Sequence, residues 1–558
     1  MSLRWSLLGA ALLSGVLWTL AWPAVGGLFP LAFVAWLPLL WAEERWMSAA
    51  PGERPRRFLP YVYLGCLLWN ATTTWWLGAV DEPWSTRIIS GGFPMLANSL
   101  LMVIPWALKR SVWRNVGRKQ AIWGFIAFWL TFERLHHDWD LTWPWLTLGN
   151  VFAGYPSWTQ WYEYTGVLGG SLWVLVMNHL IHEVWRVLPQ MTWRSAVTVL
   201  TVLVLPLLVS LVIYRTYQPK GVPLEVVVVQ PNIDPYGEKF GGVDPLVQLD
   251  RMMDQASEVM TDSTALVVFP ETALQENATI AGMHEGEFIL EGLWENDLSD
   301  SRSARRIVAF LQEHPQAAVL TGMSSAYLYG REERPPATAR ALGESGRHYD
   351  AFNAAMLLEA DGRIEPYHKS KLVAGVEIMP FERVLAPLVG RFAIDLGGTT
   401  GSLRGQQERE VMTTRDGRVN AAPVICYESV FAEHVAAHVR NGATLLVIMT
   451  NDGWWGESPG YRQHLDYGTL RAIETRRDIA RSANTGISCF IDQRGVIHQA
   501  TDWWVPAAVR STVLCNEELT FFVRHGDLIG RTAMWVGALL WLLAMSRYLR
   551  RSRAVIPQ

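Results

Sequence analysis

The chain has 558 residues, half of them hydrophobic and 18% charged, with 29 tryptophans and a formal net charge of −4. That mixture, at a mean hydropathy of +0.12, points to a membrane part joined to a soluble part, with length enough for more than one core. The small net charge, with no basic stripe interleaved with aromatics, argues against nucleic acid as a partner, and four scattered cysteines (Cys66, Cys426, Cys489, Cys515) without a CxxC pair argue against a disulfide framework or a zinc site.

From the N-terminus to about Tyr214 the chain is a series of apolar runs, each near the roughly 20 residues that a helix needs to cross a bilayer. They predict spans near 4–22, 25–42, 58–79, 88–108, 120–135, 164–185 and 194–214, with a last one near 530–548. The first is expected to be a retained helix rather than a signal peptide, because it is long, holds Trp18 and Trp22, and has no small-residue cleavage site before the next run. Lys and Arg accumulate on the cytoplasmic side of a membrane. Here every second loop is basic: Arg45, Arg54, Arg56 and Arg57, then Lys109, Arg110, Arg114, Arg118 and Lys119, then Arg186 and Arg194, and in the tail Arg547, Arg550, Arg551 and Arg553. The intervening loops are net acidic (80–87) or rich in Trp and poor in Lys and Arg (136–163). Both termini are therefore expected in the cytoplasm, with the block of about 218–525 outside, which in a bacterium is the periplasmic side of the inner membrane. The pairs Trp75 and Trp76, Trp143 and Trp145, Trp454 and Trp455, and Trp503 and Trp504 read as interfacial anchors.

The block 218–525 alternates β-rich runs (224–230, 265–269, 317–322, 352–359, 421–426, 444–450, 485–491) with helical patterns (244–261, 302–313, 428–440, 462–480). This alternation predicts a layered α/β domain. The whole chain divides into a membrane domain of about seven helices (1–217), an extracytoplasmic domain (218–525), and a final helix with a basic tail (526–558).

Three segments of the α/β block put a polar residue at or near the end of a buried strand, where α/β domains place sites. VVFPETAL carries Glu271, EPYHKSKLVAGVE carries Lys369 and Glu377, and PVICYESVF carries Cys426, Tyr427 and Glu428. Singly, each has a structural reading: a buried cysteine is a small hydrophobe, Glu271 a helix-capping charge, Lys369 a solvated face and Glu377 a loop carboxylate. Cys66, Cys489 and Cys515 keep that reading. Cys426 differs, since it lies where an apolar strand meets a polar helix start, and a helix N-terminus lowers a thiol's pKa. Together the residues make a device: a thiol nucleophile, a carboxylate base, a lysine for the oxyanion, and a second carboxylate to keep the lysine charged. His464, Asp452, Asn484 and Arg481 read as structural caps and buried hydrogen bonds.

FPETA, YHK…VE and ICYE, in that order, resemble the Glu–Lys–Cys triad of the nitrilase (carbon–nitrogen hydrolase) superfamily. QPNID (230–234) and the stretch 449–492 extend the likeness. Spans on both sides of such a domain, with WPWLTLGN (143–150) and VRHGD (523–527), resemble the apolipoprotein N-acyltransferase family, over essentially the whole chain. The resemblance implies a multi-span α-helical membrane domain plus a nitrilase-like αββα sandwich. It implies that Cys426 takes an acyl chain from a phospholipid as a thioester, and that the N-terminal amine of a diacylglyceryl-cysteine apolipoprotein then accepts it. By motif, Glu271 is the general base, Lys369 the oxyanion stabiliser and Glu377 the accessory carboxylate, with Tyr427 and Glu428 beside the nucleophile. It implies a membrane-embedded monomer that needs no metal or organic cofactor.

The sequence departs from the family in three places. LVAGVE (372–377) replaces the common LVPFGE, with the Lys369-to-Glu377 spacing kept. A tryptophan common after the first strand is absent, with Phe240 near its place. The segment 275–305 is longer than usual, as a lid, an arm or a surface insertion. The same triad would serve a membrane-anchored amidase or nitrilase that passes the acyl group to water. A third reading is a transporter carrying a degenerate nitrilase-like binding module, which intramembrane charges would favour.

Overall fold

The computed structural model describes residues 2–50, 52–186, 192–239, 242–285, 287–336, 338–381 and 403–554. Phe240 lies outside them.

The first part is helical: α1 (Leu3–Ala21), α2 (Leu37–Ser48), α3 (Leu59–Thr73), α4 (Trp84–Leu101), α5 (Val103–Asn115), α6 (Arg118–His136), α7 (Val167–Arg186) and α8 (Trp193–Thr216), with a last helix at Leu528–Ala554. Among the described residues, five stretches are long and apolar enough to cross a membrane: Leu3–Ala21, Trp84–Asn115, Val167–Arg186, Trp193–Thr216 and Leu528–Ser552. Three of the expected runs are not among these five. The run 25–42 is divided by a 3-10 turn, Phe29–Phe33, before α2; Pro30 and Pro38 stand in the first turns of these two pieces, where a missing N–H is tolerated. The run 58–79 gives only the 15 residues of α3. The run 120–135 lies in α6, which carries Arg118, Lys119, Glu133 and Arg134.

Trp18, Trp22, Trp36, Trp69, Trp106 and Trp129 lie in the core of this part, while Trp5, Trp84, Trp123, Trp193 and Trp535 are exposed on its surface. Trp18 stacks on Trp69 with centroids 4.8 Å apart, and Trp36 meets Trp129 edge-on at 5.0 Å. Trp76 and Trp145, expected at the membrane interface, are both buried, 5.1 Å apart, with Trp455 4.6 Å from Trp76. Removing such large rings from water is strongly favourable, and these three do so by filling the seam between the helical part and the α/β part. Lys109 and Glu43, joining α5 to α2, form a buried charge pair at 2.5 Å that sequence reading missed.

The α/β part contains β1 (Val222–Gln230), α9 (Pro245–Val259), β2 (Thr264–Val268), β3 (Thr279–His284), β4 (Glu287–Glu291), α10 (Arg302–Glu313), β5 (Ala318–Leu328), β6 (Arg340–Ala341), β7 (His348–Glu359), β8 (Ile364–His368), β9 (Met412–Thr413), β10 (Asn420–Ile425), α11 (Ala432–Arg440), β11 (Leu445–Thr450), α12 (Pro459–Thr475), β12 (Ile479–Ala483), β13 (Cys489–Ile491), β14 (Ile497–His498) and β15 (Ala507–Cys515). One sheet has the order β15-β1-β2-β5-β7-β6, with β8 also on β7, and the other β14-β13-β12-β11-β10-β9. Their inner faces meet through Val226, Val228, Leu266 and Leu320 on one side and Ala421, Ile425, Val447 and Met449 on the other. The alternate residues Val227, Val267 and Val319 turn outward onto α9 and α10, as the two-residue period of a strand requires. The outer face of the second sheet packs on α11 and α12, and that cluster runs on into the tryptophan core of the helical part. The fold is an αββα sandwich with one helix layer seated on the helical part.

Three local expectations are corrected. The pattern 462–480 ends as a helix at Thr475: Arg476 has φ +50, and the next residues form β12, which continues the sheet beside β11. The run 485–491 therefore keeps only Cys489–Ile491 as strand. The pattern 428–440 opens with a 3-10 turn, Cys426–Val430, before α11. Within 275–305, β3 and β4 pair as an antiparallel hairpin, whose Ile280, Phe288 and Leu290 pack around Trp294 and Leu328.

Candidate active site

The two sheets contribute opposite sides of one buried site. On the first sheet the chain leaves β2 through Pro270, Glu271 and Thr272, the last at φ +47. Glycine at position 322 of β5 makes this turn possible, since a Cβ there would lie 2.5 Å from Thr272 N and 2.7 Å from Glu271 Cα. Lys369 follows β8, and its backbone N–H donates to the Asn353 carbonyl of β7 at 2.9 Å. Lys369 Nζ donates to Glu271 Oε1 at 3.0 Å and to Glu377 Oε1 at 2.9 Å. Asn353 Nδ2 bridges the same two carboxylates at 2.8 Å each. In the LVAGVE turn, Glu377 Oε2 accepts from Val373 N at 2.8 Å, so the turn is closed by the carboxylate it presents.

On the second sheet Cys426 follows β10 at φ +48. The left-handed region is costly for a residue with a Cβ, on the order of 1 kcal/mol or more, and persists where surroundings impose it. Glu428 supplies part of that imposition. Its Oε2 accepts from Ile425 N at 2.8 Å, while Oε1 accepts from Ser370 N at 2.6 Å and from Tyr367 Oη at 3.0 Å. One buried carboxylate thus ties the residue before Cys426 to the residue after Lys369. Burial pushes Glu428 up, but His434 and His438 outweigh it and hold it down at about 2. Tyr427 turns away to the helical part, where its Oη donates to Thr142 O at 2.9 Å.

The electrostatics correct one expectation. Cys426 does not open an α-helix, and its thiol is not drawn down. Burial pushes it up, the Glu271 carboxylate adds to this, and Lys369 works against both. Burial also pushes Glu271 up, but Lys369, Asn353 and Lys239 outweigh it and hold this carboxyl below its ordinary value. Burial opposes the Lys369 charge, yet Glu271 and Glu377 keep that ammonium well above the usual lysine value. The resting site is thus a thiol beside a carboxylate–ammonium–carboxylate cluster. Thiol deprotonation is unfavourable until charge develops elsewhere. An oxyanion forming at Lys369 would draw that charge away from Glu271 and raise the basicity of Glu271 as it is needed.

The structure gathers Glu271, Lys369, Glu377, Cys426 and Glu428 within this site, with Tyr427 at its border to the helical part. It adds residues that sequence reading missed. Asn353 was visible as a lone polar residue within an apolar strand run. Buried Lys239 donates from Nζ to Glu271 O at 2.9 Å and is pushed down to about 8 by burial, against Glu271 and Cys426; it comes from a turn-rich stretch with no pattern to mark it. The loop 142–150 brings Trp145 within 6.2 Å of Tyr427 and 5.6 Å of Tyr467, ring to ring. Tyr467, on α12, donates to Trp145 O at 2.8 Å and accepts from Trp22 Nε1 at 3.2 Å.

Known proteins resemble the chain at both levels. A carbon–nitrogen hydrolase family model matches residues 226–510, and the model of the apolipoprotein N-acyltransferase N-terminal domain matches 14–180. A Chlorobaculum tepidum protein named apolipoprotein N-acyltransferase is 31% identical over 96% of this chain and 96% of its own length. Proteins of the same name from Geobacter metallireducens and Azotobacter vinelandii are each 28% identical. They cover 96% and 98% of this chain, and 95% and 96% of their own lengths, respectively.

Proposed function

Because this chain belongs to the apolipoprotein N-acyltransferase family, we propose that it moves an acyl chain from a membrane phospholipid to the N-terminal amine of diacylglyceryl-cysteine apolipoproteins. The chain is an acyltransferase of the membrane, with a nitrilase-type catalytic fold.

The observation that carries the mechanism is the Glu271–Lys369–Glu377 cluster beside the buried Cys426 thiol. Cys426 Sγ attacks the ester carbonyl carbon while Glu271 takes the thiol proton. The oxyanion is met by Lys369, two of whose three N–H bonds are used by the carboxylates. The carbon–oxygen bond breaks, Glu271 returns the proton to the departing glycerol oxygen, and lysophospholipid leaves a thioester on Cys426. The amine of the acceptor then attacks the thioester carbonyl, Glu271 takes a proton from that nitrogen, and the sulfur leaves and is reprotonated. Tyr427 and Glu428 position the nucleophile, and Glu377 keeps Lys369 charged.

The alternating basic loops support both termini in the cytoplasm and the α/β part on the periplasmic side. The domain limits 1–217, 218–525 and 526–558 are supported by β1 beginning at Val222 and the last helix at Leu528. The test supplies phospholipid labelled in its acyl chains, in vesicles, with a diacylglyceryl-cysteine peptide. Label in amide linkage at the peptide N-terminus is the expected result. Label released as free fatty acid at a rate indifferent to the peptide would replace the transferase with a hydrolase.

A further inference from the structure

A second buried constellation lies behind Cys426, away from Glu271 and Lys369. His464 of α12 has Nδ1 2.8 Å from Asp452 Oδ1, and Nε2 3.0 Å from the Cys426 carbonyl oxygen and 2.8 Å from Ser429 Oγ. Asp452 is fixed in turn by Arg481 Nη2 at 2.5 Å and by the Thr450 hydroxyl at 2.9 Å. The path therefore runs from Thr450 and Arg481 through Asp452 and His464 to the carbonyl of Cys426. His464, Asp452 and Arg481 are each at most 1% exposed.

Charged groups so deep are a poor source of stability, since desolvation offsets their attraction, and an apolar cluster of equal volume would serve as well. What an apolar cluster could not do is hold one peptide in an unfavourable rotation. The carbonyl that His464 and Ser429 hold belongs to the residue at φ +48. Letting that peptide relax would swing Sγ away from the carboxylate and ammonium on the opposite sheet. We propose that His464, fixed by Asp452 and Arg481, is a positioning residue that holds Cys426 in its left-handed turn and so sets the thiol's line of attack. This rests on the reading of Cys426 as nucleophile.

The test uses the full-length protein in phosphatidylethanolamine vesicles and measures single-turnover thioester formation, the half-saturating lipid concentration and the thermal midpoint. His464→Gln keeps a polar atom near the Nε2 position, whereas His464→Asn keeps one near Nδ1 only. His464→Ala and His464→Asn are expected to slow thioester formation roughly 100-fold, with half-saturation within about threefold of the parent and His464→Gln recovering about tenfold of the loss. A rate for His464→Ala within about twofold of the parent overturns the proposal, as does equal loss in Gln and Asn. If His464→Ala does not fold, Asp452→Asn replaces it, expected to slow the step about tenfold, with an unchanged rate counting against the proposal. A parent that forms no thioester removes the nucleophile reading itself; a parent that forms one, with unaffected His464 variants, removes only the positioning role.

Discussion

On the first sheet, Glu271, Asn353, Lys369 and Glu377 hold one another directly, through contacts of 2.8 to 3.0 Å. On the second, Cys426 is held by Glu428 and Ser429 of its own segment and, from outside it, by His464 on α12, and its neighbour Tyr427 reaches Thr142, 285 positions away in the helical part. The base side is held chiefly by contacts among its own residues, with Glu428 tying it to the other sheet, while the nucleophile side also leans on a helix that is itself bonded to tryptophans of the membrane part. A phospholipid-using enzyme built this way does not merely anchor its catalytic domain in the membrane. It completes the nucleophile's support with residues of the membrane domain.

The largest effects are expected on the base side. Glu271→Gln should slow thioester formation by roughly 10³-fold, measured in single turnover, because the carboxylate is the only base beside the thiol in the proposed chemistry. Lys369→Met should cost both rate and fold, since it leaves Glu271 and Glu377 as buried carboxylates without their ammonium, a loss of about 3–5 kcal/mol by denaturant titration. Equal, mild effects from the two substitutions would dissolve the distinction between base and oxyanion donor.

Acid should expose the link between the sides. Glu428 is held at about 2 against an ordinary 4.5, so its contribution is complete above 4.5 and is lost as pH falls from there toward 2. It amounts to roughly 3 kcal/mol. Glu428→Gln should flatten the fall in thermal midpoint across that window. An unchanged slope would mean that the carboxylate does not clamp the elbow. The smallest effect is expected where the comparison is most delicate. Tyr467→Phe removes one hydroxyl between α12 and the helical part, and should lower stability by about 1 kcal/mol while slowing thioester formation only a fewfold. A rate equal to the parent's would detach the nucleophile from the membrane part.

What could be read from the sequence follows the same division. The positions of Glu271 and Cys426 were legible because each follows a buried β run, and their chemistry together with Lys369 was legible because acid, ammonium and thiol complement one another, although β8, which Lys369 follows, was not among the strand runs read. A layered α/β domain followed from alternating strands and helices, and its αββα form from the resemblance to the nitrilase superfamily. Contacts formed across hundreds of residues left no local pattern. Nothing in WPWLT marks Trp145 as a neighbour of Tyr467, and nothing near Lys239 marks it as a neighbour of Glu271. The thiol's environment was misjudged because a helix start was inferred from polarity, whereas Glu428 folds back on the turn and burial dominates. Trp76 and Trp145 read as interface anchors because composition cannot tell a ring at a lipid boundary from one at a boundary between protein halves.

Intact mass measurement after incubation with phospholipid vesicles tests the nucleophile most directly. The parent protein should gain the mass of one fatty acid less water, removable by hydroxylamine, and Cys426→Ala should gain none. Acylation of Cys426→Ala to the same extent as the parent would contradict the assignment.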